Sequence, residues 1–128
     1  MKINSIEDLV IWQEAREFSK LVIEITKSGS FSKDFRFKDQ IRAAAGSVMD
    51  NISEGFGRGG NKEFIQFLCI AKGSCYETRS QLYRAFDSEY ISESQLNDLL
   101  HRAESIARKI QSFIDYLKKS EFKGHKYQ

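Results

Sequence analysis

Four glycines fall within residues 55–60, and long runs of helical periodicity flank them on both sides. Each glycine costs about 1 kcal/mol relative to alanine inside a helix. The cluster therefore predicts a break beginning at Gly55. Before it, residues 33–54 place Phe37, Ile41, Ala44, Val48 and Ile52 at helical spacing. After it, residues 61–87 do the same with Phe64, Leu68, Ala71, Cys75, Thr78, Leu82 and Ala85. Steps of three and four residues put such a set on one face of an α-helix. Two long helices joined by so short a loop are expected to pack antiparallel.

The rest of the chain reads the same way. Residues 6–28 carry Ile11, Ala15, Phe18, Val22 and Ile25 in register, with Ser5 as the expected N-cap and Gly29 as the stop. Ser32 is the expected cap of the second helix. The fourth helix opens on Ser92-Glu93-Ser94-Gln95, where Ser92 caps forward and Gln95 reaches back. Its stripe runs from Leu96 to Leu117, and the helix is expected to end near Lys119. No alternating run bounded by turns argues for a sheet. The expected fold is all-α: an antiparallel up-and-down four-helix bundle over residues 1–119, with a polar basic tail at 120–128. Small residues at 43–47 and at Ala71, Gly73, Ser74 and Cys75 lie equally far from the glycine loop. They are expected to meet where the second and third helices approach closely.

A chain of 128 residues, 41% hydrophobic and 30% charged, is one domain with an ordinary core and not a disordered segment. No apolar stretch approaches the ~18 residues of a membrane span. Glu7 and Asp8 stand where a leader peptide needs a basic and then an apolar region. The expected location is the cytoplasm, with no membrane contact. Cys69 and Cys75 sit on different helix faces and match no zinc spacing, so free thiols are expected. His101, in Asp98-Leu99-Leu100-His101, and His125 are too few for a di-iron bundle. No catalytic residue, cofactor, metal or small-molecule substrate is expected.

Three sets of residues could carry function. Gln40, Ser47, Asn51 and Glu54 share one helix face. They form either a structural network, with Glu54 serving amides of the glycine loop or pairing with Arg58 or Lys62, or a binding line. The start of the third helix, beside Arg58 and Lys62, offers free amides for an anion. A phosphate loop proper is excluded, because the loop follows a helix and ends in Asn61-Lys62-Glu63. The third helix carries a second stripe of Ile65, Cys69, Lys72, Tyr76, Arg79, Tyr83 and Phe86. Subunit contact, packing under another helix and nucleic-acid stacking are the three readings of it.

The net charge of +2 is too small for a strongly basic surface. From Arg102 onward, however, seven basic residues (Arg102, Arg108, Lys109, Lys118, Lys119, Lys123, Lys126) face three acids. With Arg58 and Lys62 these are the candidate phosphate contacts; dipole compensation at a helix C-terminus is the plainer account.

The segments Ile6-Glu7-Asp8-Leu9-Val10-Ile11-Trp12-Gln13 and Gln40-Ile41-Arg42-Ala43-Ala44 lead the resemblance to a known family. Ser47-Val48, Asn51-Ile52-Ser53-Glu54-Gly55, Gly57-Arg58, Glu63-Phe64, Phe67-Leu68 and Gly73-Ser74 continue it. Together they resemble the bacterial four-helix-bundle family, also called the 23S rRNA intervening-sequence protein family. Met49 and Ser32 stand where many members have proline, and Ala43 where a second arginine is common. The resemblance implies an up-and-down bundle that assembles as a homopentamer, with no enzyme activity. The family is also similar to the accessory protein of diversity-generating retroelements, a basic pentamer that works with a reverse transcriptase and nucleic acid. Two expectations follow: a homo-oligomer that binds RNA or a nucleoprotein, or a protein–protein adaptor without nucleic-acid contact.

Overall fold

In the computed structural model, which describes residues 3–121, four helices make an antiparallel bundle: α1 (Val10–Ile25), α2 (Phe35–Gly57), α3 (Asn61–Asp87) and α4 (Glu93–Glu121). Short 3-10 turns at Ile6–Asp8 and Gly29–Lys33 precede α1 and α2. No strand is present among the described residues. Packing is most extensive at α2–α3 and α3–α4, and α1 closes the ring against α2 and α4. The expected stripes form the core: Phe18, Val22, Ile41, Ile52, Phe64, Leu68, Leu82 and Ile110 are all buried.

Local chemistry sets the helix starts. Ser92 and Gln95 make the expected reciprocal box at α4, with bonds of 2.8 and 3.1 Å. α2 differs from expectation. Asp34, not Ser32, caps it by accepting from the Phe37 N–H at 3.2 Å. Ser32 instead donates to the Gly29 carbonyl. Ser5 caps the 3-10 turn, where the Asp8 carboxylate accepts from the Ser5 N–H, and α1 starts only at Val10.

The glycine cluster also behaves differently from its propensity. α2 runs through Gly55 and ends at Gly57. A Cβ on Gly55 would stand 2.7 Å from Phe67 Cβ and 2.9 Å from Phe64 Cδ1. The helix pair closes so tightly beside the turn that only glycine fits, and packing there outweighs the cost of glycine in a helix. Gly59, at φ +86°, makes the turn itself.

Aromatic rings lock both ends. Phe31, Phe37 and Tyr90 stack at one end, with Phe31–Tyr90 centroids 4.8 Å apart. At the other, Phe64 meets Phe113 edge-on at 5.4 Å, and Phe113 stacks on Tyr116.

Candidate functional site

The bundle end that holds the α2–α3 turn also holds the end of α4. Asn61, the first residue of α3, donates its Nδ2 to the Leu117 carbonyl at 3.1 Å. Lys62 is thereby brought to the same end as Lys118 and Lys119; all three are exposed, and among the described residues none has an ion pair. Lys123 and Lys126 lie outside the described residues.

The other basic candidates are neutralised. Arg58 pairs with Glu54 at 3.0 Å and lies over the Phe67 ring. Arg102 pairs with Asp98, Arg108 with Glu104, and Lys109 with Glu14 of α1. Arg102 also sits away from the basic end, in a groove with Gln13, Glu17 and His101. The α3 N-terminus is no open anion site. The Glu63 carboxylate folds back to within 2.9 Å of where a Gly60 side chain would begin, so the chain's own anion stands there.

The polar line on α2 divides. Asn51 Nδ2 donates to both the carbonyl and the Oγ of Ser47 at 2.8 Å. Ser74 of α3 donates to the same Oγ at 3.0 Å. This is the close approach of small residues expected from their equal heights. Gly73, expected in that contact, points instead to solvent. Glu54 does not support buried amides: its carboxylate is exposed, and Arg58 is its ion-pair partner. Gln40 is exposed on the rim of a groove between α2 and α3.

That groove, about 520 Å³ in volume, is lined by Ala43, Ala44 and Ser47 from α2 and by Glu77, Gln81 and Arg84 from α3. Gln81 was missed from sequence, where it reads as one polar residue beside the core stripe. It is 6% exposed. Arg84 lies over the Phe37 ring, 4.4 Å from its centre.

The second stripe on α3 is not one surface. Ile65 and Phe86 pack against the core, and Lys72 donates to Gln111 of α4 at 2.7 Å. Packing against the core explains Ile65 and Phe86, and the contact with α4 explains Lys72. Cys69, Tyr76 and Tyr83, seven residues apart, face outward, and Arg79 lies 5.4 Å from the Tyr76 ring centre. Ile70 and Gly73, both exposed, extend this outer face. Tyr76, Tyr83 and Ile70 are each about half exposed, at 51%, 49% and 52%.

Cys75 is buried, which pushes its thiol up to about 12. Among the described residues no group of histidine, cysteine and carboxylate side chains could hold a metal, and no helix is long and apolar enough to cross a membrane.

Residues 7–112 match the model of the 23S rRNA-intervening sequence proteins. The chain belongs to this family. It is also similar to a crystal structure at 1.70 Å of a protein of unknown function from the S23 ribosomal protein family, from Bacteroides thetaiotaomicron. The identity is 24% and the TM-score 0.74, covering 82% of this chain and 98% of that one. This likeness shows the helical fold. No curated protein matches the chain.

Proposed function

We propose that this family member is a non-enzymatic, self-assembling cytoplasmic bundle whose outer face on α3 joins copies of the chain. The observation that carries the reading is the set Ile70, Gly73, Tyr76 and Tyr83. Three large apolar or aromatic residues stand half exposed around a mid-helix glycine. A Cβ on Gly73 would meet nothing within 4 Å. The fold of one chain gives no reason to bear the cost of that glycine. Close approach of another backbone does. Tyrosine is also enriched where protein surfaces meet. Five copies is the number the family resemblance implies. Light scattering on the wild type and on Tyr76→Glu/Tyr83→Glu tests the reading. The wild type should exceed the mass of one chain, and the variant should fall to it with helix content unchanged. A wild-type mass of one chain at micromolar concentration rejects it.

A second reading is supported by Lys62, Lys118 and Lys119. Among the described residues these cations form no ion pair; they lie together at one end, and assembly would multiply them into a patch able to hold RNA phosphates.

A further inference from the structure

The groove between α2 and α3 contains a buried acceptor with nothing to accept. Gln81 Oε1 is shielded from solvent and has no hydrogen-bond partner among the described residues. Its orientation is set by its neighbour. Nε2 lies 3.5 Å from the Glu77 carboxylate, and exchanging the two amide atoms would set acceptor against acceptor. A buried polar atom without a partner costs stability and so calls for one.

The surroundings define what that partner must be. Glu77, one turn before Gln81 on the same groove, is exposed and has no cation paired with it among the described residues. Ser47 Oγ is engaged with Asn51 Nδ2 and with the Ser74 hydroxyl, which also lies 3.2 Å from the Ile70 carbonyl. Arg84, the cation on the rim, is engaged over Phe37. Two acceptors thus lie one helical turn apart: the exposed Glu77 carboxylate and the shielded Gln81 Oε1, which a rotation of its side chain would turn into the groove. A planar fork of N–H donors suits such a pair better than a point charge does. Ala43 and Ala44 keep the α2 wall low, which leaves room for a flat group to enter.

We propose that the α2–α3 groove binds a guanidinium group, with Gln81 Oε1 and the Glu77 carboxylate as its acceptors. The group could belong to a free guanidinium compound or to an arginine of another copy of this chain. This goes beyond the assembly face on α3 and does not depend on it.

The test is an NMR titration of the full chain with methylguanidinium, following the Gln81 side-chain amide. It is run on the wild type and on the Tyr76→Glu/Tyr83→Glu variant. Saturable shifts are expected in at least one of them, with ethylammonium binding clearly more weakly. Gln81→Met, of similar length but without the acceptor, should weaken binding ten-fold or more. Glu77→Gln, an exposed change that leaves folding intact, should weaken it several-fold. Light scattering on the same samples separates the sources: a mass that falls as methylguanidinium saturates identifies a competing arginine from another copy, and a constant mass identifies a free ligand. No saturable shift in either protein overturns the proposal. So does binding that Glu77→Gln leaves unchanged, or equal binding of ethylammonium.

Discussion

The Tyr90 hydroxyl donates to the Asp34 carboxylate at 2.7 Å and so ties the turn after α3 to the cap of α2. The same carboxylate accepts from the Phe37 N–H with its other oxygen. Both bonds favour the ionised acid and hold its pKa below the ordinary 3.8, with the tyrosine bond the larger cause. That bond also holds the phenol above its ordinary 10.0.

Tyr90→Phe should therefore lower the melting temperature at pH 7 while the rings of Phe31 and Phe37 stay stacked. The depressed acid contributes above 3.8, and its part is lost as pH falls through the lowered value. The raised phenol contributes below 10.0, and its part is lost as pH rises through the raised value. The gap between wild type and variant should be flat in between and close at both extremes. Melting curves recorded across pH check this; a gap that persists unchanged at pH 2 would show that the bond is not its source.

Glu89 holds the left-handed position of the turn that ends α3, with φ at 63°. The Tyr90 N–H bonds back to the Ala85 carbonyl and the Glu89 N–H to Phe86, which is a Schellman closure. Glycine takes that conformation without a Cβ penalty. Glu89→Gly should raise stability by about 0.5–1 kcal/mol in a denaturant titration, and a loss of stability would contradict it.

Local signals made much of the fold legible. The Ser92–Gln95 box and the start of α3 depend on neighbours within a turn, and both lie where periodicity and capping put them. The cap of α2 was not legible. Ser32 and Asp34 both have capping chemistry, and the choice depends on Tyr90, far along the chain. The site divided in the same way. Ser47 and Asn51 share a helix face, so their contact could be read from spacing. The solitary Gln81 oxygen and the exposed Glu54 depend on how α2 and α3 fit together, which no single helix reveals.

Gly55 gives that fit a test. Gly55→Ala forces a Cβ against Phe64 and Phe67 and should cost about 1–3 kcal/mol, the usual penalty of overpacking. Gly57→Ala, where a Cβ meets nothing within 4 Å, should be neutral or gain up to about 1 kcal/mol. Equal effects from the two changes would refute the close approach at Gly55.

The two thiols should separate cleanly. Cys75 is buried with its thiol pushed up to about 12, whereas Cys69 is exposed on the outer face of α3. The thiolate is the reactive form, so Cys75 should resist alkylation until the chain unfolds. In Tyr76→Glu/Tyr83→Glu, an alkylating reagent at pH 8 should label Cys69 alone, as peptide mass spectrometry will show. If α3 joins copies of the chain as proposed, Cys69 should label more slowly in the wild type, because a neighbouring copy would cover it. Equal rates in the two proteins would count against α3 as the assembly face.

Nucleic-acid binding, if the basic end provides it, should follow the free cations and not the total charge. A salt bridge on the surface is worth little to stability, yet its carboxylate repels a phosphate that approaches the same cation. Arg102 and Arg108 each stand beside an acid one turn away, so Arg102→Gln/Arg108→Gln should change RNA affinity little. Among the described residues Lys62, Lys118 and Lys119 form no ion pair. Each lysine in contact with a phosphate releases counterions on binding, adding about 0.7–0.9 to the slope of log affinity against log salt. Lys62→Gln/Lys118→Gln/Lys119→Gln should therefore both weaken binding and flatten that slope, by up to about 2–3 for each chain that touches RNA. Titrations of structured RNA and duplex DNA across a salt series measure both quantities. A slope that the lysine variant leaves intact, or that the arginine variant flattens equally, would move the contact away from this end. No binding by the wild type at low salt would leave the proposed assembly face on α3 as the candidate functional surface.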